Sequence, residues 1–184
     1  MAVKTFTAGA VLTASDTNTY LNNGGLVYIT GAAFTSATEI LLDSVFTATY
    51  RNYLLVFDCQ TSAGGGILQL QVRAAGSTIS TTTYQYQAID ADSTTISGRR
   101  NTAQGSYRFG ANDANGYNSS QVQIFTPQIA IPTRFISSFL RNNGNISEQV
   151  WGANTNTTSY DGLRISTTTG NMTGTYGLFG YRIP

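Results

Sequence analysis

The sequence has no histidine, a single cysteine and three prolines, and only 10% of its 184 residues are charged. Without histidine there is no Ser-His-Asp or Cys-His nucleophile, none of the common zinc sites and no imidazole titrating near neutrality. Cys59 can form neither an intrachain disulfide nor a thiolate cluster. It stands in the strand-like run NYLLVFDCQ, where a small buried thiol is expected. No Walker A sequence appears, nor a GxGxxG at a strand-to-helix turn. No window approaches the ~18 consecutive apolar residues of a spanning helix, so no membrane insertion is expected. The first residues carry Lys4 but no apolar run, so no signal peptide is expected. With a net charge of +1 there is no strong field to draw the chain to nucleic acid, and none is expected as a partner.

Thr, Ser, Asn, Gln and Gly supply the polarity instead, beside 41% apolar residues that include eleven Tyr and nine Phe. That composition suits a β-rich domain with a neutral hydroxyl and amide surface. A disordered chain carries more net charge and fewer aromatics. Nine of the ten basic residues are Arg. Arg99 and Arg100 are adjacent and read as a solvated turn. Asp90 and Asp92 in IDAD would share one side of an extended segment, as a calcium or glycosidase-like pair needs. Two carboxylates are too few for a calcium cage, and a polar loop is the expected reading. Asp113 in GANDANGYN reads as part of a Gly/Asn turn. No metal, cofactor or enzymatic activity is expected.

One helix is expected over 14–21, where TASDTNTYLNNGG offers Ser15 or Asp16 as N-cap and Asn22 to Gly25 as the stop. Two turns of isolated helix are marginal in water. Leu12, Tyr20 and Leu21 therefore need a surface, either the chain's own sheet or another protein. Strands are expected over 26–30, 38–46, 52–60, 66–74, 82–89, 105–111, 120–128, 134–142, 147–154, 162–168 and 174–183. Their turn-punctuated spacing predicts an all-β fold, a β-sandwich of jelly-roll type. SAGGGIL, from Ser62, reads as a hairpin turn. In ILQLQVRA, Leu68, Leu70 and Val72 oppose Gln69, Gln71 and Arg73. NYLLVFDC is apolar on both sides, with Tyr53, Leu55 and Phe57 against Leu54 and Val56, which predicts a central strand covered twice. YGLFGYRI also alternates, Tyr176 and Leu178 opposing Phe179 and Tyr181. A sandwich has one inner face per sheet, so the second apolar faces predict an oligomer.

The stretch KTFTAGAVLTASDTNTYLNN resembles the N-terminal segment of tailed-bacteriophage structural proteins, chiefly minor tail and tail-fibre proteins. Phe6, Thr7, Gly9, Val11, Leu12, Thr13, Ala14, Asn18, Thr19, Tyr20 and Leu21 carry that pattern. ILLDSVFTATYRNYLLVFD, from Ile40, is similar to a strand-turn-strand opening in the family. TGTYGLFGYRIP, from Thr173, is similar to its YGYR-type ending, with Phe179 where Tyr is usual. The resemblance implies a docking arm over 1–25 with one short helix, followed by a β-sandwich domain over 26–184. It implies contact with another virion protein through Phe6, Val11, Leu12, Tyr20 and Leu21. It also implies a homotrimeric, non-enzymatic virion protein assembled in the host cytoplasm and able to recognise a host-surface glycan or protein. A capsid decoration or head-fibre protein is the alternative, and a glycan-degrading tailspike a third reading. Receptor contacts would fall in loops, at Tyr84, Tyr86, Arg99, Arg100, Tyr107, Tyr117 and Trp151, whose rings and guanidinium groups suit stacking on sugars or a protein surface. The alternative for these aromatics is core packing. Val150 and Trp151 face opposite ways, and either could point inward.

Overall fold

The period-two pattern along the chain becomes thirteen strands: β1 (Leu26–Ala37), β2 (Glu39–Leu42), β3 (Tyr50–Thr61), β4 (Ile67–Ala74), β5 (Ser77–Thr78), β6 (Tyr84–Asp92), β7 (Thr95–Gln104), β8 (Tyr107–Ala111), β9 (Tyr117–Phe125), β10 (Thr133–Arg141), β11 (Ile146–Asn154), β12 (Gly162–Thr167) and β13 (Met172–Arg182). They come from a computed structural model that describes residues 8–9, 11, 13, 25–111, 116–141 and 146–182. The helix expected over 14–21 lies outside the described residues, among which there is no helix.

Two antiparallel sheets stack as a jelly-roll-like sandwich. The larger has eight strands in the order β1-β13-β3-β9-β10-β11-β6-β7. The smaller runs β2-β12-β4-β5, with β8 also paired to β4. Inward residues of β3, β9, β10 and β11, such as Leu55, Phe57, Val122, Phe135 and Val150, meet Leu68, Leu70, Val72, Leu163 and Ile165 of the smaller sheet. Phe46, from the loop after β2, packs on Tyr53 with ring centroids 4.6 Å apart. Cys59 is buried as expected, and burial, followed by the nearby Asp58 charge, pushes its thiol up to about 12.

Several sequence expectations give way here. SAGGGIL is not a hairpin turn. Both edges of β3 are taken by β13 and β9, so Gly64 to Gly66 carries the chain across to the other sheet. Asp90 and Asp92 lie in β6 and not in a loop, and Arg99 and Arg100 lie in β7 and not in a turn. No residue of β7 is buried, so its sequence carries no apolar alternation to announce a strand. β5 is two residues long and pairs with β4 through a turn in which Ala75 and Gly76 have φ of 49° and 75°. The segment expected as a strand over 38–46 pairs only to Leu42.

Three large buried tyrosines satisfy their hydroxyl groups on the backbone. Tyr53 donates to the Thr47 carbonyl at 3.0 Å and accepts from its N–H at 2.7 Å. Tyr84 accepts from the Val72 N–H at 2.8 Å and donates to the Ile79 carbonyl at 3.1 Å. Tyr107 reaches from β8 to the larger sheet, where it donates to the Val150 carbonyl at 2.8 Å and lies 2.9 Å from the Ser137 hydroxyl. Gly152 makes room for this ring. A Cβ there would lie 2.6 Å from the Gln85 carbonyl oxygen and 2.8 Å from the Tyr107 ring. Gly152→Ala should therefore cost about 1–3 kcal/mol through overpacking. Urea unfolding checks this, and an unchanged midpoint would mean that β11 shifts freely to accept the methyl group.

Candidate functional site

The smaller sheet covers the inner face of the larger one, and among the described residues nothing is layered on the outer face. Cross-strand registers place Tyr28, Phe179, Leu54, Gln123, Ile136, Trp151, Gln87 and Arg100 in one row across all eight strands of that face. At the β1 end the row is apolar. Tyr28 meets Phe179 edge-on at 5.8 Å, with Leu54 and half-buried Val56 beyond. β3 is thus central, as expected, but among the described residues no second layer covers its other apolar side.

At the other end Trp151 stands 41% exposed. Strand alternation decides its direction: Val150 is fully buried on the inner face, and Gly152 backs onto Tyr107. Two grooves border the indole. One, of about 270 Å³, is lined by Gln85, Gln87, Arg100 and Asn101. The other, of about 520 Å³, is lined by Arg51, Asn52, Phe125, Arg134 and Ile136. Ile136 is directly opposite Trp151, and Arg134 is its diagonal neighbour.

Of the seven receptor-contact candidates, the structure brings together Arg100 and Trp151. None of the seven lies in a loop. Tyr84 and Tyr107 are fully buried and Tyr86 is nearly so, which removes all three from any surface contact. Their hydroxyl groups or ring edges serve the core, a role that an amphipathic tyrosine can take as readily as a surface one. Tyr117 is exposed on the outer face, but it lies six residues along β9 from Gln123, or about 20 Å from the Trp151 row. Sequence reasoning missed Arg51, Arg134 and the amides, because nothing local marks a residue that only a distant strand makes a neighbour. Of the docking-arm residues, Val11 is exposed. Phe6, Leu12, Tyr20 and Leu21 lie outside the described residues.

Arg99 turns inward. It pairs with Asp90 and lies 3.1 Å from Glu148 Oε2, which also accepts from Arg108 at 2.8 Å. Glu148 is 2% exposed. Burial, and then its hydrogen bond with Asp90, pushes the Glu148 carboxyl up to about 7 against the pull of Arg108 and Arg99. Burial also works to raise Asp90, but its hydrogen bonds with Glu148 and Arg99, with the guanidinium charges, hold it below its ordinary value. Asp90 and Glu148 thus lie together among the guanidinium groups of Arg99 and Arg108, and Asp90 is engaged by Arg99 rather than free to pair with Asp92. Among the described residues, no group of three or more His, Cys, Asp or Glu could hold a metal ion.

No protein-family model and no curated protein matches the chain. Among solved structures, the galectin LEC-6 of Caenorhabditis elegans is similar at a TM-score of 0.37 and 10% identity, over 84% of this chain and 95% of that one. A likeness that loose carries no inference about a ligand.

The carboxyl pair makes stability depend on pH in a stated direction. A raised folded pKa means that the Glu148 contribution is complete below its ordinary 4.5 and is lost as pH rises to about 7. The lowered Asp90 acts oppositely, and its contribution disappears as pH falls below its ordinary 3.8. Thermal unfolding should thus show greatest stability in mild acid. Glu148→Gln, which cannot ionise, should flatten the decline towards neutrality, and an equal decline in that variant would assign it to other groups.

Proposed function

We propose that this chain is a non-enzymatic structural protein of a tailed-bacteriophage virion, a tail-fibre or minor tail appendage held by its N-terminal segment. The outer sheet face would meet other molecules. The observation that carries the reading is this face, where Tyr28, Phe179 and Leu54 at one end and Ile136 and Trp151 towards the other lie at least partly exposed among the described residues. A patch of that kind is a contact surface more often than an accident of folding. The N-terminal motif supports the virion assignment. Against catalysis stand the use of Asp90 and Glu148 in a buried ion cluster and the suppressed acidity of Cys59.

In this reading the apolar half of the row, Tyr28, Phe179 and Leu54, meets a second copy of the chain, and the assembly is a homotrimer. Light scattering should give three chains per particle, and Phe179→Ser should lower that number. A monomer at micromolar concentration would count against self-association.

Removing residues 1–23 should leave a soluble β domain that no longer enters particles. Normal incorporation of the shortened chain, or its aggregation, would overturn the docking arm. Antibody labelling of intact particles distinguishes a tail position from the alternative, decoration of the shell.

A further inference from the structure

Seven of this chain's nine arginines fall into two groups. Arg73 pairs with Asp43, Arg99 with Asp90 and Glu148, Arg108 with Glu148 and Arg164 with Glu39. Arg51, Arg100 and Arg134 make no side-chain hydrogen bond or ion pair among the described residues, and all three line the two grooves that border Trp151. Among the described residues no carboxylate lines either groove. Asp58, the acidic residue of the same face, stands in the row of Ser119 and Thr175, about 13 Å along β3 from Leu54. In a chain whose net charge is only +1, that is a local concentration of uncompensated positive charge around one aromatic ring.

We propose that the Trp151 end of the outer face binds an acidic polysaccharide whose sugars bear carboxylate groups. The indole offers a flat apolar surface for the C–H face of a pyranose ring. Arg134, diagonal to Trp151, and Arg100, two strands away on the other side, flank it at about 7 and 10 Å. Their guanidinium forks match carboxylates on neighbouring sugars. Arg51 extends the charge along the rim of the second groove. Gln85, Gln87 and Asn101 make no side-chain hydrogen bond among the described residues and line the first groove, where their amides can donate to and accept from ring hydroxyls. Both grooves are shallow and continuous with the sheet face, which suits a chain passing across the ring. Single-stranded nucleic acid is also anionic and also stacks. It calls for successive aromatic platforms and a strongly basic track, and this site has one indole in a nearly neutral protein.

The inference deepens the reading of this face as a contact surface by naming its ligand class. Particle labelling tests where the chain sits and glycan titration tests what the face holds, so either can fail while the other stands. Trp151 is the sole tryptophan, so its fluorescence reports directly on the site. Titration of the full-length protein with polygalacturonate, alginate and hyaluronan should give a saturable change with at least one of them. Dextran, as a neutral control, should give none. Added salt should weaken the binding. Arg100→Gln with Arg134→Gln should weaken it about tenfold, and both positions are exposed, so the fold should hold. Trp151→Ala, followed by calorimetry, should abolish it. Silence with all three polyanions, an equal response to dextran, full affinity in the double-arginine variant, or tighter binding of single-stranded DNA would each overturn the proposal.

Discussion

A sheet has two faces, and here the second sheet is smaller than the first. Eight strands lie against a sheet whose widest row is β2-β12-β4 with β5 or β8. Neither edge strand of the larger sheet, β1 or β7, has a single buried residue. Burial of apolar surface drives the fold, but the geometry satisfies it on one face and only over the middle strands. Beyond Tyr84, Tyr86 and Ala88 on β6, the inner face at the β6–β7 end is filled by something other than a hydrocarbon core. It is filled by Arg99, Arg108, Asp90 and Glu148, whose charges tolerate burial because each has an opposite partner.

The same constraint explains the role of Tyr107. A strand in the smaller sheet can hold the larger one by packing alone, or by packing together with a directed bond. Tyr107 does the second, stacking on Phe135 at 4.8 Å while its hydroxyl bonds to the Val150 carbonyl. Gly152, one turn of the pleat further along, is the space that this ring occupies. Between two residues committed to the inside, Trp151 has only the outside available. The indole at the surface is therefore a consequence of a buried hydrogen bond, and its direction is fixed by the core rather than by whatever it meets.

Much of the sandwich was legible from period-two alternation, because the middle strands carry it in full. β4 and β3 were readable residue by residue, including which side of each was apolar. β7 was not, since a strand uncovered on both faces leaves no pattern. The crossing at Gly64 to Gly66 was misread because a glycine run marks a change of direction without saying whether the next strand pairs with the last. The candidate site was legible only in Trp151 and Arg100. Tyr84, Tyr86 and Tyr107 failed as surface candidates because their burial depends on which strand lies above them. Arg51 and Arg134 lie far from Arg100 in sequence and share its site only through the order in which strands β3, β10 and β7 are laid side by side.

Scarcity of charge is what makes the arginines informative. On a highly charged surface an unpaired guanidinium is ordinary, and its solvation there costs little. This chain has nine acidic residues, and Arg73, Arg99, Arg108 and Arg164 each pair with at least one of them. Arg51, Arg100 and Arg134, which pair with none among the described residues, are not scattered. They flank one end of a row whose other end is Tyr28, Phe179 and Leu54. One continuous sheet face thus passes from hydrocarbon to cation across its width. On the readings proposed above, the apolar end meets another apolar surface and the Trp151 end an anion that can lay a sugar ring on the indole. A single partner meeting both demands would itself have to be amphipathic along a line of eight strands. Two partners, a second copy at one end and a glycan at the other, need no such coincidence.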